Sequence, residues 1–128
     1  MTTPDDRRYT AEHQWVVTND DGTCTVGITW FAQDELGEIT YVDLPDKGER
    51  VTAGETYGVI ESMKTVSDLY TPVTGEVLEI NAVLADEPTL VNEDPYGQGW
   101  LIRIRPDDPA AAGGALLTAG QYDERHST

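Results

Sequence analysis

The sequence has few of the residues that build metal sites, disulfides and nucleophilic centres. Its single cysteine, Cys24, excludes a disulfide within the chain, and its two histidines, His13 and His126, lie near opposite ends. No His or Cys pair has zinc-site spacing, no acidic stretch has the EF-hand pattern, and no Cys-His or Ser-His spacing stands out. The sequence therefore predicts no metal site and no catalytic residue, which indicates a chain that is not an enzyme.

The lone cysteine belongs to an apolar alternating run with Val26 and Ile28. That pattern predicts a buried strand residue rather than a nucleophile or a ligand. A thiol that has no partner within the chain fits a reducing compartment. Residues 1–8 include two aspartates and no apolar core, so they have the pattern of neither a signal peptide nor a presequence. We expect a cytoplasmic protein, as in a bacterium, with a mature organelle protein as the alternative.

Basic residues are also scarce, since 8 Lys and Arg face 24 Asp and Glu for a formal net charge of −16. Binding to nucleic acid or to an anionic membrane surface requires basic patches, so neither is an expected partner. No stretch of the sequence is long and apolar enough to cross a membrane. The acidic surface either maintains solubility or forms a docking face for another protein, and composition leaves both interpretations open.

Short segments with alternating apolar residues recur along the chain, separated by turn residues such as the Asp-Gly pair at 21–22. In one of them, Thr40, Val42 and Leu44 are expected on the same face of a strand. Strands are predicted at 14–18, 23–28, 40–44, 56–62, 65–70, 75–80 and 100–104, with another near residue 51. Many short strands without βαβ alternation predict one compact all-β domain, a sandwich or a barrel.

Capping residues predict a few short helices between these strands. Thr29 is placed to cap a helix that Gly37 ends, and Asn81 is placed to cap a single helical turn. Thr118 and Gln121 have the spacing of a capping box. The expected helices are therefore 30–36, one turn after residue 81, and about 119–125.

Lys64 is the most informative residue, because it is one of only two lysines and lies between two predicted strands. This arrangement predicts a hairpin that holds one primary amine at its tip, and such an amine can be acylated. The other lysine, Lys47, lies in a Pro-Asp-Lys-Gly turn without these flanking strands. Lys64 is thus a candidate cofactor attachment point, with an ordinary exposed lysine on a β-turn as the alternative.

The run ESMKTVSDLYTPVTGEV at 61–77 resembles the lipoyl-lysine hairpin of the glycine cleavage system H protein family. Three more segments resemble that family in the same order: 9–16, 27–45 and 90–101. The last of them distinguishes this family from the lipoyl domains of 2-oxoacid dehydrogenase complexes. Residues 1–8 are expected to form a flexible N-terminus, and the resemblance, which covers 9–105, implies a single lipoyl-carrier domain at 9–128.

The resemblance implies a lipoyl-domain-like flattened β-sandwich, or barrel-sandwich hybrid, with lipoic acid in amide linkage to Lys64. It implies a monomeric, non-catalytic carrier that takes the aminomethyl group of glycine from the pyridoxal-phosphate-dependent glycine decarboxylase. The tetrahydrofolate-dependent aminomethyltransferase is the next partner, and dihydrolipoamide dehydrogenase reoxidises the carrier. A lipoate ligase or an octanoyl transferase is expected to attach the group.

Four further residues are candidates for supporting roles. Glu61 and Gly75 are expected to help the modifying enzyme recognise the folded hairpin, with Gly75 in a turn that requires positive φ. Fold stability alone is the alternative explanation for Gly75. Glu12 or Glu35 is expected to pair with the protonated amine of the loaded arm. The expected walls of the arm's groove are 28–36 and the turn at 81–86.

Alternative functions remain at this point. Some members of the family relay octanoyl or lipoyl groups to other lipoyl domains. The Met63-Lys64 pair resembles the attachment site of biotin carriers, although Thr65 stands where those proteins usually have a second methionine. An unmodified β-sandwich interaction module with an incidental lysine is the last alternative. Trp30, where the family more often has a polar residue, and the short C-terminal region are departures from the family pattern.

Overall fold

The computed structural model describes residues 6–10, 12–107 and 117–126, which form two antiparallel sheets and a few short helices. The strands are β1 (Arg8–Tyr9), β2 (Gln14–Thr18), β3 (Cys24–Ile28), β4 (Ile39–Asp43), β5 (Arg50–Val51), β6 (Thr56–Ser62), β7 (Val66–Tyr70), β8 (Gly75–Ile80) and β9 (Ile102–Pro106). The helices are α1 (Trp30–Leu36), a 3₁₀ helix (Ala82–Ala85), α2 (Leu90–Glu93) and α3 (Ala119–His126). The predicted all-β class is confirmed.

The larger sheet has the order β1-β2-β3-β9-β8-β5, and the smaller sheet has the order β4-β6-β7. The core contains fully buried residues from both sheets, among them Val26 and Ile104 from the larger and Ile60 and Leu69 from the smaller. Each such side chain contributes roughly 1.5–3 kcal/mol through removal of apolar surface from water. Cys24 is buried in β3, as predicted, and burial raises the pKa of its thiol.

Strand β4 differs from its predicted alternation. The expectation was that Thr40, Val42 and Leu44 share one face, yet Thr40 is exposed while Ile39 and Val42 are both buried. The pairing of β4 with β6 shifts register between Ile39 and Tyr41. A bulge at this point adds one residue to the strand, so two buried residues are separated by three positions instead of two.

Helix α1 forms where its capping residues predicted it. The Thr29 side chain accepts a hydrogen bond from the Ala32 N–H at 3.2 Å. Gly37 ends the helix with φ +82°, and its N–H donates to the Gln33 carbonyl at 2.9 Å. Both ends therefore follow from local hydrogen bonding that the sequence already specifies.

The other helical predictions have mixed outcomes. Reciprocal bonds between Thr118 and Gln121, at 2.9 and 3.2 Å, form the predicted capping box before α3. The prediction that Asn81 caps a helical turn is wrong for its side chain, which instead donates to the carbonyls of Gln98 and Trp100. The one-turn helix α2 was not predicted, because it lies in a segment rich in turn residues.

Two residues just before the predicted domain boundary at residue 9 contact the rest of the fold. Arg8 pairs with Val16 in the larger sheet. The Arg7 guanidinium lies 4.7 Å from the centre of the Trp15 ring and donates to the Tyr96 carbonyl at 3.0 Å. Residues 7 and 8 therefore pack against the larger sheet and Tyr96, while residues 1–5 of the predicted flexible segment lie outside the described part. No described helix has the length and apolarity that spanning a membrane requires.

Candidate functional site

Lys64 lies at the tip of the hairpin that joins β6 to β7, as predicted. The Ser62 side chain closes the turn, because its hydroxyl oxygen accepts from the N–H groups of Lys64 at 3.3 Å and Thr65 at 3.2 Å. The Ser62 N–H also donates to the Thr65 carbonyl at 2.8 Å. Serine at the first position of a turn is a known local signal, so this role was readable from the sequence but was missed.

The hairpin tip rests on the junction between α1 and β4. The Met63 N–H donates to the Glu38 carbonyl at 3.1 Å. The Lys64 stem passes over Gly37, since a Cβ atom placed at Gly37 would lie 3.5 Å from Lys64 Cε. The glycine that ends α1 therefore also provides the surface beneath the lysine.

Asn92 holds this junction in place and was not predicted from the sequence. Its Nδ2 donates to the Gly37 carbonyl at 2.8 Å and to Gln33 Oε1 at 3.0 Å. Its Oδ1 accepts from the Ile39 N–H at 2.8 Å. One side chain from α2 thus satisfies polar groups on both sides of the α1–β4 turn, over a separation of more than fifty residues that local patterns do not reveal.

The amine of Lys64 is exposed and not ion-paired within the described residues. The ion pairs found there are Arg7–Asp6, Arg50–Asp107 and Arg103–Glu79. Lys47 is also exposed, in a turn closed by backbone bonds from Glu49 N–H to the Asp46 carbonyl and from Gly48 N–H to the Val77 carbonyl. Both amines are therefore accessible, but only Lys64 stands at the tip of a paired hairpin.

A cleft of about 370 Å³ lies between α1 and the β6–β7 hairpin. Its polar lining includes Glu12 and Glu35, the two acids singled out in the sequence, together with Asp68. Its apolar lining consists of Ile28, Phe31, Ala32, Leu36, Ile60 and Leu69. The segment 28–36 therefore forms a wall, as expected, whereas the turn at 81–86 does not line the cleft. An apolar cleft with an acidic edge suits a long aliphatic group that ends in a cation.

Gln14 lines this cleft and is 1 % exposed. The buried Tyr57 hydroxyl donates to Gln14 Oε1 at 3.0 Å, and burial raises the pKa of Tyr57, which keeps the hydroxyl protonated. No described residue accepts a hydrogen bond from Gln14 Nε2. An unpaired buried amide N–H costs about 1–3 kcal/mol, so an acceptor group in the cleft would recover that energy. The pair was not predicted, because its members lie on strands of different sheets.

His13 connects the cleft to the C-terminal helix. Its Nδ1 lies 2.7 Å from the Tyr122 hydroxyl, which lies 2.8 Å from Thr29 Oγ1. His13 has φ +66°, a backbone conformation that is costly for a residue with a side chain. Its ring also packs against Phe31 in a tilted arrangement, with the ring centres 4.8 Å apart. Helix α3 therefore fixes one end of the cleft through a hydrogen-bonded chain of side chains.

The structure places Glu61 and Gly75 in different sheets. Glu61 is half-buried in β6, two residues before Met63, the first residue of the hairpin tip. The expected positive φ at Gly75 is wrong, since Gly75 is the extended first residue of β8. A Cβ atom there would lie 2.1 Å from the Arg105 carbonyl oxygen, so close strand contact is what requires glycine.

Within the described residues no group of three or more His, Cys, Asp or Glu side chains is placed to hold a metal.

Two antiparallel sheets with a lysine at a hairpin tip form a lipoyl-domain-like flattened sandwich. A family model described as glycine cleavage H-protein matches residues 7–128. The chain therefore belongs to the glycine cleavage H-protein family, whose members are carrier subunits of the glycine cleavage system.

Individual relatives agree with this assignment. The chain is 50 % identical over 121 residues to the glycine cleavage system H protein of Marinobacter nauticus, covering 94 % of this chain and 92 % of that protein. It is 55 % identical over 121 residues to the probable glycine cleavage system H protein of Haloarcula marismortui, covering 94 % of each. Its fold matches a crystal structure of a glycine cleavage system H protein from Mycobacterium marinum, with a TM-score of 0.88, 44 % identity and coverage of 98 % and 99 %.

Proposed function

We propose that Lys64 Nζ forms the amide that attaches a lipoyl group, and that the chain carries the aminomethyl group of glycine in the cytoplasm. The observation that supports this most directly is the exposed amine, without an ion-pairing partner in the described residues, at the tip of a hairpin closed by Ser62. The family and the prokaryotic sources of its relatives support the same conclusion.

The attached group would supply the chemistry: its disulfide would accept the aminomethyl group while glycine decarboxylase releases CO2, and an aminomethyltransferase would move the carbon to tetrahydrofolate with release of ammonia. Dihydrolipoamide dehydrogenase is the partner that restores the disulfide. The chain itself is non-catalytic and monomeric in this proposal. Its residues orient the amine, shelter the loaded end and present the tip to each partner.

The cleft is within reach of a group on Lys64. From Cα through an eleven-bond acyl-lysine arm the reach is on the order of 14 Å by standard bond lengths. Ser67, which lines the cleft, is three residues from Lys64 along β7, or roughly 10 Å at 3.3 Å per residue. The arm is therefore long enough for its far end to reach the part of the cleft that Ser67 lines.

Polar groups around the cleft complement a loaded arm. Glu12, Glu35 and Asp68 stabilise the positive charge of a protonated amine. Gln14 Nε2 donates to an acceptor such as the arm's carbonyl oxygen or sulfur. Exclusion of water from this site protects the aminomethyl group from hydrolysis.

Intact-mass measurement and peptide mapping of protein from a lipoylating host test the attachment. We expect a single lipoyl adduct on the peptide that contains Lys64. A biotinyl mass would favour the biotin-carrier alternative, and an unmodified chain that is also refractory to a lipoate ligase would favour the interaction module. Transfer of the lipoyl group from the purified chain to a separate lipoyl domain would add the relay function.

NMR of the oxidised and methylamine-loaded protein tests the shelter. We expect the loaded form to restrict the arm and to shift the Ile28 methyl and Gln14 side-chain amide signals. The aminomethyl group should also be lost more slowly than from free dihydrolipoamide. Equal arm mobility in both forms, with equal decay, would show that the cleft does not hold the arm.

A further inference from the structure

Most of the large apolar side chains that are exposed lie on the small sheet that ends in the Lys64 hairpin, or at the tip of that hairpin. The described residues contain four of them: Tyr41 (52 % exposed), Met63 (75 %), Val66 (61 %) and Val83 (49 %). The first three belong to the sheet β4-β6-β7 or to its hairpin tip, whereas Val83 lies in the 3₁₀ helix. An apolar cluster on the surface of a strongly acidic protein is a sign of an interaction site.

Strand register places two of these side chains in one row. Tyr41 pairs with Glu61, and Glu61 pairs with Val66. Directly opposed residues in antiparallel strands project from the same face, about 4.5–5.5 Å apart at Cβ. The neighbouring residue Ile60 pairs with Val42 and Ser67 on the opposite face, toward the core and the cleft. The row Tyr41–Glu61–Val66 thus lies on the outer face of the sheet, and Met63 extends it to the tip.

We propose that this row, together with Met63, is the docking surface for the enzyme that acylates Lys64, and this inference rests on the proposed function. This enzyme is expected to contact Tyr41 and Val66 with apolar side chains and Glu61 with a basic side chain. In this interpretation Glu61 is the charged centre of an apolar row.

The length of the lysine side chain favours the acylating enzyme, rather than the partners of the glycine reaction, as the protein that docks on this row. A bare lysine extends about 6 Å from Cα to Nζ. An enzyme that forms a bond to Nζ must therefore approach within that distance of the backbone and cover the neighbouring side chains. Enzymes that act on the far end of the finished arm work on the order of 14 Å from the same backbone, so they have no need to cover this row.

The bond changes in the acylation are simple. The neutral Nζ attacks the carbonyl carbon of an acyl adenylate held by a lipoate ligase. A C–N amide bond forms, the bond from that carbon to the phosphate oxygen breaks, and AMP leaves with the electron pair. The proton lost from Nζ passes to a base of the ligase. The carrier chain contributes only the nucleophile and the surface that positions it.

The test compares Val66→Thr with Val83→Thr, two exposed valines of which only one lies in the row. Both variants are acylated by a purified lipoate ligase with ATP and lipoate, and intact mass follows the product. Val66→Thr, Met63→Gln and Tyr41→Ser should each raise KM for the protein by about 3–10-fold with kcat within about twofold, because apolar burial on docking is lost. Val83→Thr should match the unsubstituted chain. Thermal unfolding and acetylation of Lys64 by a small activated ester should be unchanged in all four.

Equal KM values for Val66→Thr and Val83→Thr would overturn the proposal while acylation of Lys64 still supported the proposed function. A chain that the ligase does not acylate at Lys64 would instead contradict the proposed function itself. Normal acylation with impaired use by the decarboxylase would assign the row to a partner of the reaction, and a dimer in sedimentation that Val66→Thr dissociates would assign it to a second copy. Either result overturns the proposal.

Discussion

The two turns that carry the lysines of this chain are built differently. The Lys47 turn is closed by backbone hydrogen bonds, and nothing lies within 4 Å of a Cβ atom placed at Gly48. The Lys64 tip is closed by the Ser62 side chain and rests on Gly37, which Asn92 holds from a distant helix. An exposed amine alone therefore does not define the site, because the tertiary support beneath Lys64 is what distinguishes the two turns.

The largest difference between the two turns should appear in carrier function. Lys64→Arg retains the positive charge but cannot form the amide, so we expect no lipoylation and glycine cleavage below detection. Lys47→Arg should retain full modification and activity. The measurement is intact mass after treatment with ligase, followed by a reconstituted glycine cleavage assay. Residual cleavage by Lys64→Arg, or an adduct on Lys47, would place the carrier amine elsewhere.

The second largest difference is expected in how much the side chains that support each turn contribute to the free energy of unfolding. Asn92→Ala leaves the Gly37 carbonyl and the Ile39 N–H without their partner, and we expect a loss of about 2–3 kcal/mol in the free energy of unfolding. Asp46→Ala, in the Lys47 turn, removes no side-chain bond of the described structure and should change stability by less than about 0.5 kcal/mol. Urea denaturation measures both, and equal stabilities would mean that Asn92 is dispensable.

The glycines of the two turns permit a closer comparison. Gly37 has φ +82° and ψ −159°, a region that is essentially restricted to glycine, and Gly48 has φ +90°. Alanine at either position should cost about 1–3 kcal/mol through backbone strain. Only Gly37→Ala should also slow lipoylation and shift the NMR signals of the Lys64 side chain, since its Cβ atom would contact Cε. A normal rate of lipoylation in folded Gly37→Ala would show that the contact beneath the lysine has no role.

The smallest effect is expected at Ser62. Ser62→Ala removes the acceptor for the Lys64 and Thr65 N–H groups, which are exposed and can bind water instead. We expect a loss of about 0.5–1 kcal/mol and a slower ligase reaction, with the hairpin strands intact. Ser62→Thr, which keeps the hydroxyl, is the matched control. Amide hydrogen exchange at Lys64 and Thr65 measures the loosening directly, and unchanged exchange would show that the strands alone define the tip.

The elements predicted correctly are those whose causes lie close together in the sequence. Thr29 and Gly37 define α1 through bonds within a few residues, and Thr118 with Gln121 defines the start of α3. The two β-rich runs that flank Lys64 predicted the hairpin for the same reason. The errors lie where a distant strand intervenes: the bulge of β4 depends on its pairing with β6, and Gly75 is required by the backbone of β9.

The sequence by itself determined the all-β class, the capped helices, the tip that carries Lys64 and, through segments that resemble one family, the type of carrier. Only the tertiary structure decided what surrounds that lysine. Asn92 beneath the tip, the Tyr57–Gln14 pair and the exposed row through Tyr41 each join residues at least twenty positions apart. Periodicity and capping indicate hydrogen bonds and burial within one element, whereas these contacts arise when separate strands pair and when the two sheets and α2 pack together.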